Sequence, residues 1–195
     1  MKFTLSILAL LAIAFLVGCS AKDTNNKSEL NNKYGGIYIF NKKYYEEIQQ
    51  RERERRAYEL SVLDRVKSDE EMRVELRGFD QKFPQTLSNG KKYYTDTADY
   101  SREYSKQPKV PEIYKERIRN LIGKENLDKI PGIGLGSFYS DEEGNITPIT
   151  MYIQYSDKVK SYGLFGDEGR GFSLSRDRFE YYEVKNKFYM EDLEK

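Results

Sequence analysis

The chain has 195 residues, with 33 Lys and Arg against 32 Asp and Glu, no His, no Trp and a single Cys. The absence of His excludes Ser-His-Asp and Cys-His catalysis as well as imidazole metal sites. One Cys permits neither an internal disulfide nor a Cys-rich zinc or iron–sulfur site. Because the formal charge of +1 gives no long-range attraction to nucleic acid, we predict no metal, no cofactor and no nucleic-acid partner.

The N-terminus has the pattern of a secretory signal peptide. Lys2 precedes an apolar stretch from Phe3 to Val17. At about 1.5 Å per helical residue this stretch reaches only ~22 Å, too short to cross a bilayer core of about 30 Å. It ends in Leu16-Val17-Gly18-Cys19, which Ser20 follows. These four residues resemble the lipobox of bacterial lipoproteins, in which small residues precede an obligatory Cys.

The lipobox resemblance implies a lipid anchor at Cys19. Proteins of that class are cleaved before the Cys, whose sulfur receives a diacylglyceryl group and whose new amino group accepts a fatty acid such as palmitate. Anchoring by two or more acyl chains is stable, because each buried CH₂ contributes about 0.8 kcal/mol. The single Cys of the chain lies at this position. The resemblance therefore implies a lipid-anchored protein of the cell envelope, and Ser20 implies the outer membrane if the cell is Gram-negative.

The sequence predicts three segments: a signal peptide over residues 1–18, a lipidated Cys19 with a flexible tether over 19–36, and a single domain over 37–195. Residues 20–36 are mostly Asn, Lys, Ser, Asp and Thr and end in two glycines. Such a composition cannot bury enough apolar surface to order the chain. A coil of about 15 such residues spans roughly 20 Å, enough to hold a domain away from the lipid headgroups.

Helical patterns dominate residues 41–127. Tyr44, Tyr45 and Ile48 begin an apolar stripe that predicts a helix from about Asn41 to Lys67. Oppositely charged residues recur four positions apart along this segment, and each such pair contributes a few tenths of a kcal/mol. This alternation of acids and bases favours a solvated helical face over a basic surface for nucleic acid.

Two further helices are predicted before residue 127. Ser68-Asp69-Glu70-Glu71 has the pattern of a capping box, which predicts a helix that continues to Leu76. The alternation of apolar and charged residues in this short segment suits a strand equally well. The clearest helix begins at Pro111, which suits a first turn, and ends at Gly123.

From Ile133 onward the apolar period becomes alternating, which predicts mostly β structure over residues 133–190. The loops Asp141–Asn145 and Gly166–Gly171 separate apolar runs as hairpin connections, in which glycine supplies a positive φ. One predicted strand has an apolar face formed by Ile149, Met151, Ile153 and Tyr155. Helices first and antiparallel strands later predict an α+β domain.

Three motifs have chemical interpretations that the sequence does not favour. The segment Leu127–Gly134 resembles the hairpin of helix-hairpin-helix DNA-binding modules, but the residues after it suit a strand better than a second helix. Asp141, Glu143 and Asn145 alternate like calcium ligands, but Gly144 is the fourth residue of this loop, whereas an EF-hand requires Gly at the sixth. A glycosidase with two carboxylates is compatible with the absence of His, yet no acid pair lies in a recognisable catalytic frame.

Seventeen tyrosines provide the remaining unusual feature. Most are expected to occupy half-buried positions in a sheet. Adjacent residues on a strand point to opposite faces, so the two members of a Tyr-Tyr pair cannot both point inward. Since exposed Tyr often forms interaction hot spots, the sequence predicts a binding surface among Tyr44, Tyr45, Tyr93, Tyr94, Tyr181 and Tyr182.

Together these patterns predict a non-enzymatic, lipid-anchored envelope lipoprotein. Its partners would be the membrane, through Cys19, and an envelope protein. It would bind that protein as an assembly component or as an immunity-type inhibitor of an envelope toxin. The alternative is a lipoprotein that binds peptidoglycan or another glycan, or a carbohydrate hydrolase that works without His.

Overall fold

A computed structural model of the protein describes residues 27–123, 126, 132–167 and 171–193. The predicted signal peptide, Cys19 and residues 20–26 of the predicted tether lie outside this described part. Helices concentrate in the first half of the chain and antiparallel strands in the second, which confirms the predicted α+β class. Within the described ranges, no helix combines the length and apolar character needed to cross a membrane.

The chain divides into two compact units. The first comprises Met1–Gly36, Ile122–Ile133 and Ile153–Asn186, so far as these ranges are described. The second comprises Ile37–Leu121, Gly134–Tyr152 and Lys187–Lys195, with the same restriction. Each unit is therefore built from segments that are distant in sequence.

The second unit contains most of the helices: α2 (Lys42–Leu63), α3 (Asp69–Glu75), α4 (Phe79–Lys82), α5 (Thr97–Tyr104), α6 (Glu112–Ile122) and α7 (Met190–Leu193). The predicted signals at Ser68 and Gly123 mark the start of α3 and the end of α6, whereas α2 ends at Leu63 rather than near the predicted Lys67. The Asn41 side chain accepts a hydrogen bond from the Tyr44 amide at 2.9 Å and so caps α2. Ser68 caps α3 in the same way through the Glu71 amide at 3.3 Å, so the strand interpretation of this segment is wrong. Gly123 has a φ of 88° directly after α6.

Two sheets complete the second unit. A four-stranded sheet has the order β3-β6-β1-β9, and a three-stranded sheet has the order β2-β4-β5. The last strand of the chain therefore lies beside the first. Strand bounds are Gly36–Ile39 for β1, Tyr93–Tyr94 for β2, Ile133–Leu135 for β3, Phe138–Ser140 for β4, Ile146–Pro148 for β5, Thr150–Ile153 for β6 and Asn186–Tyr189 for β9.

Two apolar clusters form the core of this unit. The first contains Ile39, Tyr45, Ile48, Leu87, Tyr93 and Ile149, and the second contains Tyr94, Tyr100, Phe138 and Ile146. Strand β2 contributes one tyrosine to each cluster, so it lies between them. The second cluster is mostly aromatic: the Phe138 ring stacks on Tyr94 with a centroid distance of 5.3 Å and meets Tyr100 edge-on at 5.6 Å.

The first unit contains helix α1 (27–34) and a long antiparallel hairpin. Its strands are β7 (Ser156–Asp167) and β8 (Gly171–Tyr181), which form a separate two-stranded sheet. We refer to this hairpin, Ser156–Tyr181, as the arm. Of the predicted loop Gly166–Gly171, Gly166, Asp167 and Gly171 are paired strand residues, and residues 168–170 lie outside the described part.

Residues 27–36 form helix α1 and the start of β1, where the sequence predicted a flexible tether. Leu30 and Asn31 in α1 are buried. The Asn31 amide nitrogen donates to the Glu183 carbonyl at 3.1 Å, and its oxygen accepts from the Tyr155 amide at 3.4 Å. The prediction failed because these hydrogen bonds to residues late in the chain, rather than a local apolar pattern, order the segment.

Candidate functional site

The arm carries half of the exposed large apolar side chains among the described residues. Six of its large apolar side chains are between 59% and 81% exposed. They are Tyr162, Leu164, Phe172, Leu174, Phe179 and Tyr181. Soluble proteins seldom leave so many large apolar side chains exposed together, and such patches commonly mark interaction sites.

The strand register distributes these side chains over both faces of the arm. Ser156 lies opposite Tyr181, and Lys158 lies opposite Phe179. Directly opposed residues share a face and neighbours along a strand alternate, so Tyr181 and Phe179 lie on one face and Leu174 and Phe172 on the other. The arm therefore exposes apolar groups on both faces, whereas an antiparallel sheet at a protein surface usually buries one face against a core.

The distal half of the arm, residues 162–167 and 171–174, contains little charge. Tyr162, Leu164, Phe172 and Leu174 are its exposed large side chains. A Cβ atom added at Gly166 would lie 2.6 Å from the Phe172 ring, so the ring lies across the backbone of the opposite strand. The Phe172 side chain is nevertheless 81% exposed to solvent.

The proximal half of the arm is charged and is fixed by side-chain contacts. Lys158 and Asp177 form an ion pair at 2.8 Å across the two strands, and this hydrogen bond lowers the pKa of the Asp177 carboxyl. The Tyr182 hydroxyl, just beyond β8, donates to Asp157 at 2.5 Å. The Asp157 carboxylate thereby raises the pKa of Tyr182 to about 12.

Helix α1 holds the root of the arm. The Lys27 ammonium donates to the Ser156 carbonyl at 3.2 Å and lies 3.6 Å from the Asp157 carboxylate. Asn31 bonds both chain segments that flank the arm, at Tyr155 and at Glu183. Helix α1 therefore contacts the root of the arm and both segments that flank it.

An isolated two-stranded hairpin is marginally stable in water, and three or more strands are normally needed. β7 and β8 have no further strand beside them within the described part of the chain, so both outer edges present unpaired backbone groups. Exposed edges and exposed apolar side chains make the arm suited to strand addition by another chain.

The predicted tyrosine surface is largely wrong. Tyr45, Tyr93 and Tyr94 are buried in the two core clusters, and both members of the β2 pair point inward because a core cluster lies on each side of that strand. Tyr44 packs against the first cluster. Tyr181 is 65% exposed on the arm, and Tyr182 binds Asp157 at its root.

Sequence reasoning missed the exposed residues Leu164, Phe172 and Leu174, because an alternating apolar pattern is the ordinary signal of a strand that covers a core. The presence of apolar residues on both strand faces distinguishes this arm, and it becomes visible once the register is known.

The acidic loop between β4 and β5 is an internal hydrogen-bond network. The Asn145 amide nitrogen donates to Asp141 at 2.9 Å and to Glu143 at 3.1 Å, and the first of these bonds lowers the pKa of Asp141. Across the described residues, no three acidic or thiol side chains cluster closely enough to hold a metal ion. Gly144 has a φ of 75° in this loop, as predicted for its glycine.

The carboxyl pKa values that are clearly shifted do not have the direction that a general acid requires. Among the described residues, the five carboxyls with clearly shifted pKa values are Glu47, Glu103, Glu112, Asp141 and Asp177, and each pKa is lowered. A glycosidase acid requires the opposite shift, which keeps the carboxyl protonated near neutral pH.

The segment Leu127–Gly134, which resembles the hairpin of helix-hairpin-helix modules, is not followed by a second helix. Ile133–Leu135 is strand β3 instead.

Comparisons of the chain with protein-family models, with curated proteins and with solved structures find no match.

Proposed function

We propose that the protein is a lipid-anchored lipoprotein of the bacterial cell envelope that binds a partner protein through the arm. The observation that carries this proposal is the set of six exposed apolar side chains on β7 and β8. The partner supplies a strand or an apolar surface that covers the arm. Binding, rather than catalysis, is the function of this surface.

The size of the exposed surface supports a stable protein interface. A large apolar side chain of this kind buries about 200 Å², so the exposed fractions of the six side chains together correspond to roughly 900 Å². Each partner in a standard protein interface contributes about 800 Å². The arm alone is therefore large enough for one side of such an interface.

The charge of the arm favours a protein over a membrane surface. β7 and β8 together contain four basic residues, Lys158, Lys160, Arg176 and Arg178, and four acidic residues, Asp157, Asp167, Asp177 and Glu180. Peripheral binding to anionic lipid depends on a surplus of Lys and Arg. A neutral arm lacks that surplus.

The same charges disfavour a second copy of this chain as the added strand. Two antiparallel β8 strands related by a two-fold axis centred on Asp177 place that residue opposite itself and Arg176 opposite Arg178. A centre at either arginine places that arginine opposite itself. Like charges directly opposed across strands are destabilising, so self-pairing centred on residues 176–178 of β8 is disfavoured, and we assign the added strand to a different protein.

The predicted anchor would hold the arm near the bilayer. Seven residues lie between Cys19 and Lys27, and the eight steps from Cys19 to Lys27 span at most about 28 Å when fully extended. Lys27 contacts the root of the arm directly. The partner is therefore expected to be a protein at or near the same membrane surface.

The anchor is tested with Cys19→Ala. We expect the wild-type chain to incorporate labelled palmitate and to sediment with membranes, and we expect the variant to do neither, because the thiol is the acylated group. Ser20→Ala, which leaves the thiol in place, serves as the matched control and should retain both properties. A wild-type chain without label, or a variant that remains membrane-bound, would disprove the anchor.

The arm is tested with a photo-crosslinking amino acid at Phe172 or, as the matched control, at Leu60, which is 49% exposed on α2. In intact cells we expect one discrete product from Phe172 only. The purified partner should then bind the wild-type protein at least about tenfold more tightly than it binds Leu174→Asp, because a charge at a buried apolar contact costs more than 1.4 kcal/mol.

Several outcomes would overturn the assignment of the arm to a protein partner. One is equal crosslinking from Phe172 and Leu60, and another is a product that consists of two copies of this chain. Crosslinks to lipid alone would assign the arm to the membrane surface instead. Loss of binding in Leu174→Asp is informative only if the far-ultraviolet circular dichroism of this variant matches that of the wild-type protein.

A further inference from the structure

A second candidate site lies in the second unit, away from the arm in sequence and in chemistry. A cavity of about 580 Å³ is bounded by the connection between α5 and α6, the first turn of α6 and the loop between β4 and β5. Small-molecule sites usually measure about 300–1,000 Å³. We call this cavity the lysine cleft, after Lys106, Lys109 and Lys115 in its walls.

Positive charge predominates in the lysine cleft. Its walls contain three ammonium groups and a single carboxylate, that of Glu112. This carboxylate already has two partners, because Lys115 lies 3.1 Å from one of its oxygens and Arg119 bonds the other. The Glu112 charge is therefore neutralised locally and does not offset Lys106 and Lys109.

Lys106 and Lys109 retain free hydrogen-bonding capacity. The Lys106 ammonium donates to the Glu143 carbonyl at 3.1 Å, which uses one of its three N–H groups. In the described part of the chain, neither lysine forms an ion pair with a carboxylate. The nearby carboxylates of Asp141 and Glu143 bind the Asn145 amide instead.

Part of the lining of the lysine cleft is apolar and comes from Val110, Pro111 and Ile146. The buried Tyr100 hydroxyl donates to the Gly144 carbonyl at 2.5 Å and fixes the loop wall. A Cβ atom at Gly144 would lie 2.9 Å from the Lys106 ammonium, so the absence of a side chain there lets the ammonium reach the loop. Ammonium groups and apolar side chains therefore line the same cavity, a combination that suits a ligand with an anionic group and an apolar part.

We propose that the lysine cleft binds a small organic anion, in which a carboxylate or phosphate lies next to a short apolar chain. The anionic group accepts charge-assisted hydrogen bonds from Lys106 and Lys109, and the apolar chain lies against Val110 and Ile146. Lysine, unlike arginine, binds such groups as a compact point charge, so the cleft accepts either a carboxylate or a phosphate. This site does not depend on the proposed function of the arm.

The test is a titration of the full-length protein with hexanoate and with hexyl phosphate, followed by amide nuclear magnetic resonance. We expect saturable shifts of the Gln107, Val110 and Gly144 signals, with a dissociation constant of roughly millimolar size, as is typical of small ligands. The stronger of the two ligands identifies the preferred anionic group. Hexanol, which lacks the charge, should produce no saturable shift.

A double variant, Lys106→Gln with Lys109→Gln, should bind about tenfold more weakly, because charge-assisted hydrogen bonds are lost. The control is Lys67→Gln with Lys185→Gln, which removes the same charge from exposed sites elsewhere and should bind as the wild-type protein does. Absence of saturable shifts with both anions would refute the site. So would equal binding by the two double variants, or hexanol binding as tight as that of hexanoate.

Discussion

Replacing Phe138 by alanine is expected to lower the free energy of unfolding by about 3–5 kcal/mol, as for other buried Phe→Ala changes. Phe138 is fully buried, and its ring packs on both Tyr94 and Tyr100. The change therefore removes apolar burial and two ring contacts at once. Because a domain of this size is stable by only about 5–15 kcal/mol, much of its stability depends on this one side chain.

Urea denaturation followed by circular dichroism measures this effect. Phe172→Ala is the matched control, since it removes the same side chain at a position that is 81% exposed. It should change the unfolding free energy by no more than about 0.5 kcal/mol while weakening partner binding. If Phe138→Ala cost less than about 1 kcal/mol, the aromatic cluster would not be the core of the second unit.

The second large effect is unfolding at alkaline pH. Tyrosine ordinarily ionises near pH 10, whereas burial raises the pKa of Tyr155 to about 12. Burial also raises the pKa values of Tyr93 and Tyr94, and the Glu52 carboxylate raises that of Tyr93 further. A folded-state pKa above the unfolded value means stability that is complete below pH 10 and is lost as the pH rises through the folded-state values.

The size of this effect follows from the same shifts. Tyr155 is 1% exposed, and its hydroxyl makes no hydrogen bond within the described part of the chain. A shift of two pKa units corresponds to about 3 kcal/mol, and several such tyrosines act together. We therefore expect cooperative unfolding between about pH 10 and 12, in which tyrosinate absorbance and loss of circular dichroism rise together.

Tyr155→Phe should raise the midpoint of alkaline unfolding, because it removes an ionisable group whose hydroxyl has no partner to lose. Tyr162→Phe is the control: this ring is 81% exposed on the arm, and its loss should leave the midpoint unchanged. Reversible ionisation of all tyrosines near pH 10 without unfolding would contradict the burial of this set.

Local signals made much of the fold predictable. Asn41 and Ser68 cap helices because their side-chain oxygens bind amides only two or three residues away, an interaction that short sequence patterns encode. Gly123 ends α6 for a similarly local reason. The α+β class was also predictable, because the change from helical to alternating spacing of apolar residues can be read from neighbouring residues alone.

The candidate sites depend on long-range geometry and were beyond the reach of these patterns. Tyr93 and Tyr94 are both buried because two separate core clusters lie on either side of one short strand, an arrangement that strand alternation alone does not predict. The lysine cleft unites Lys106 and Lys115 with Ile146, residues that belong to different elements. Asn31 orders a polar segment through residues more than 120 positions later.

The position of β9 beside β1 has a consequence for biosynthesis. The ribosome delivers Gly35 long before Asn186, yet the Asn186 side chain binds the Gly35 carbonyl at 2.9 Å across 151 positions. Tyr38 is likewise synthesised long before Phe188, on which its ring stacks at a centroid distance of 4.8 Å. A growing chain leaves this flank of β1 open, so the four-stranded sheet closes only after β9 has been synthesised.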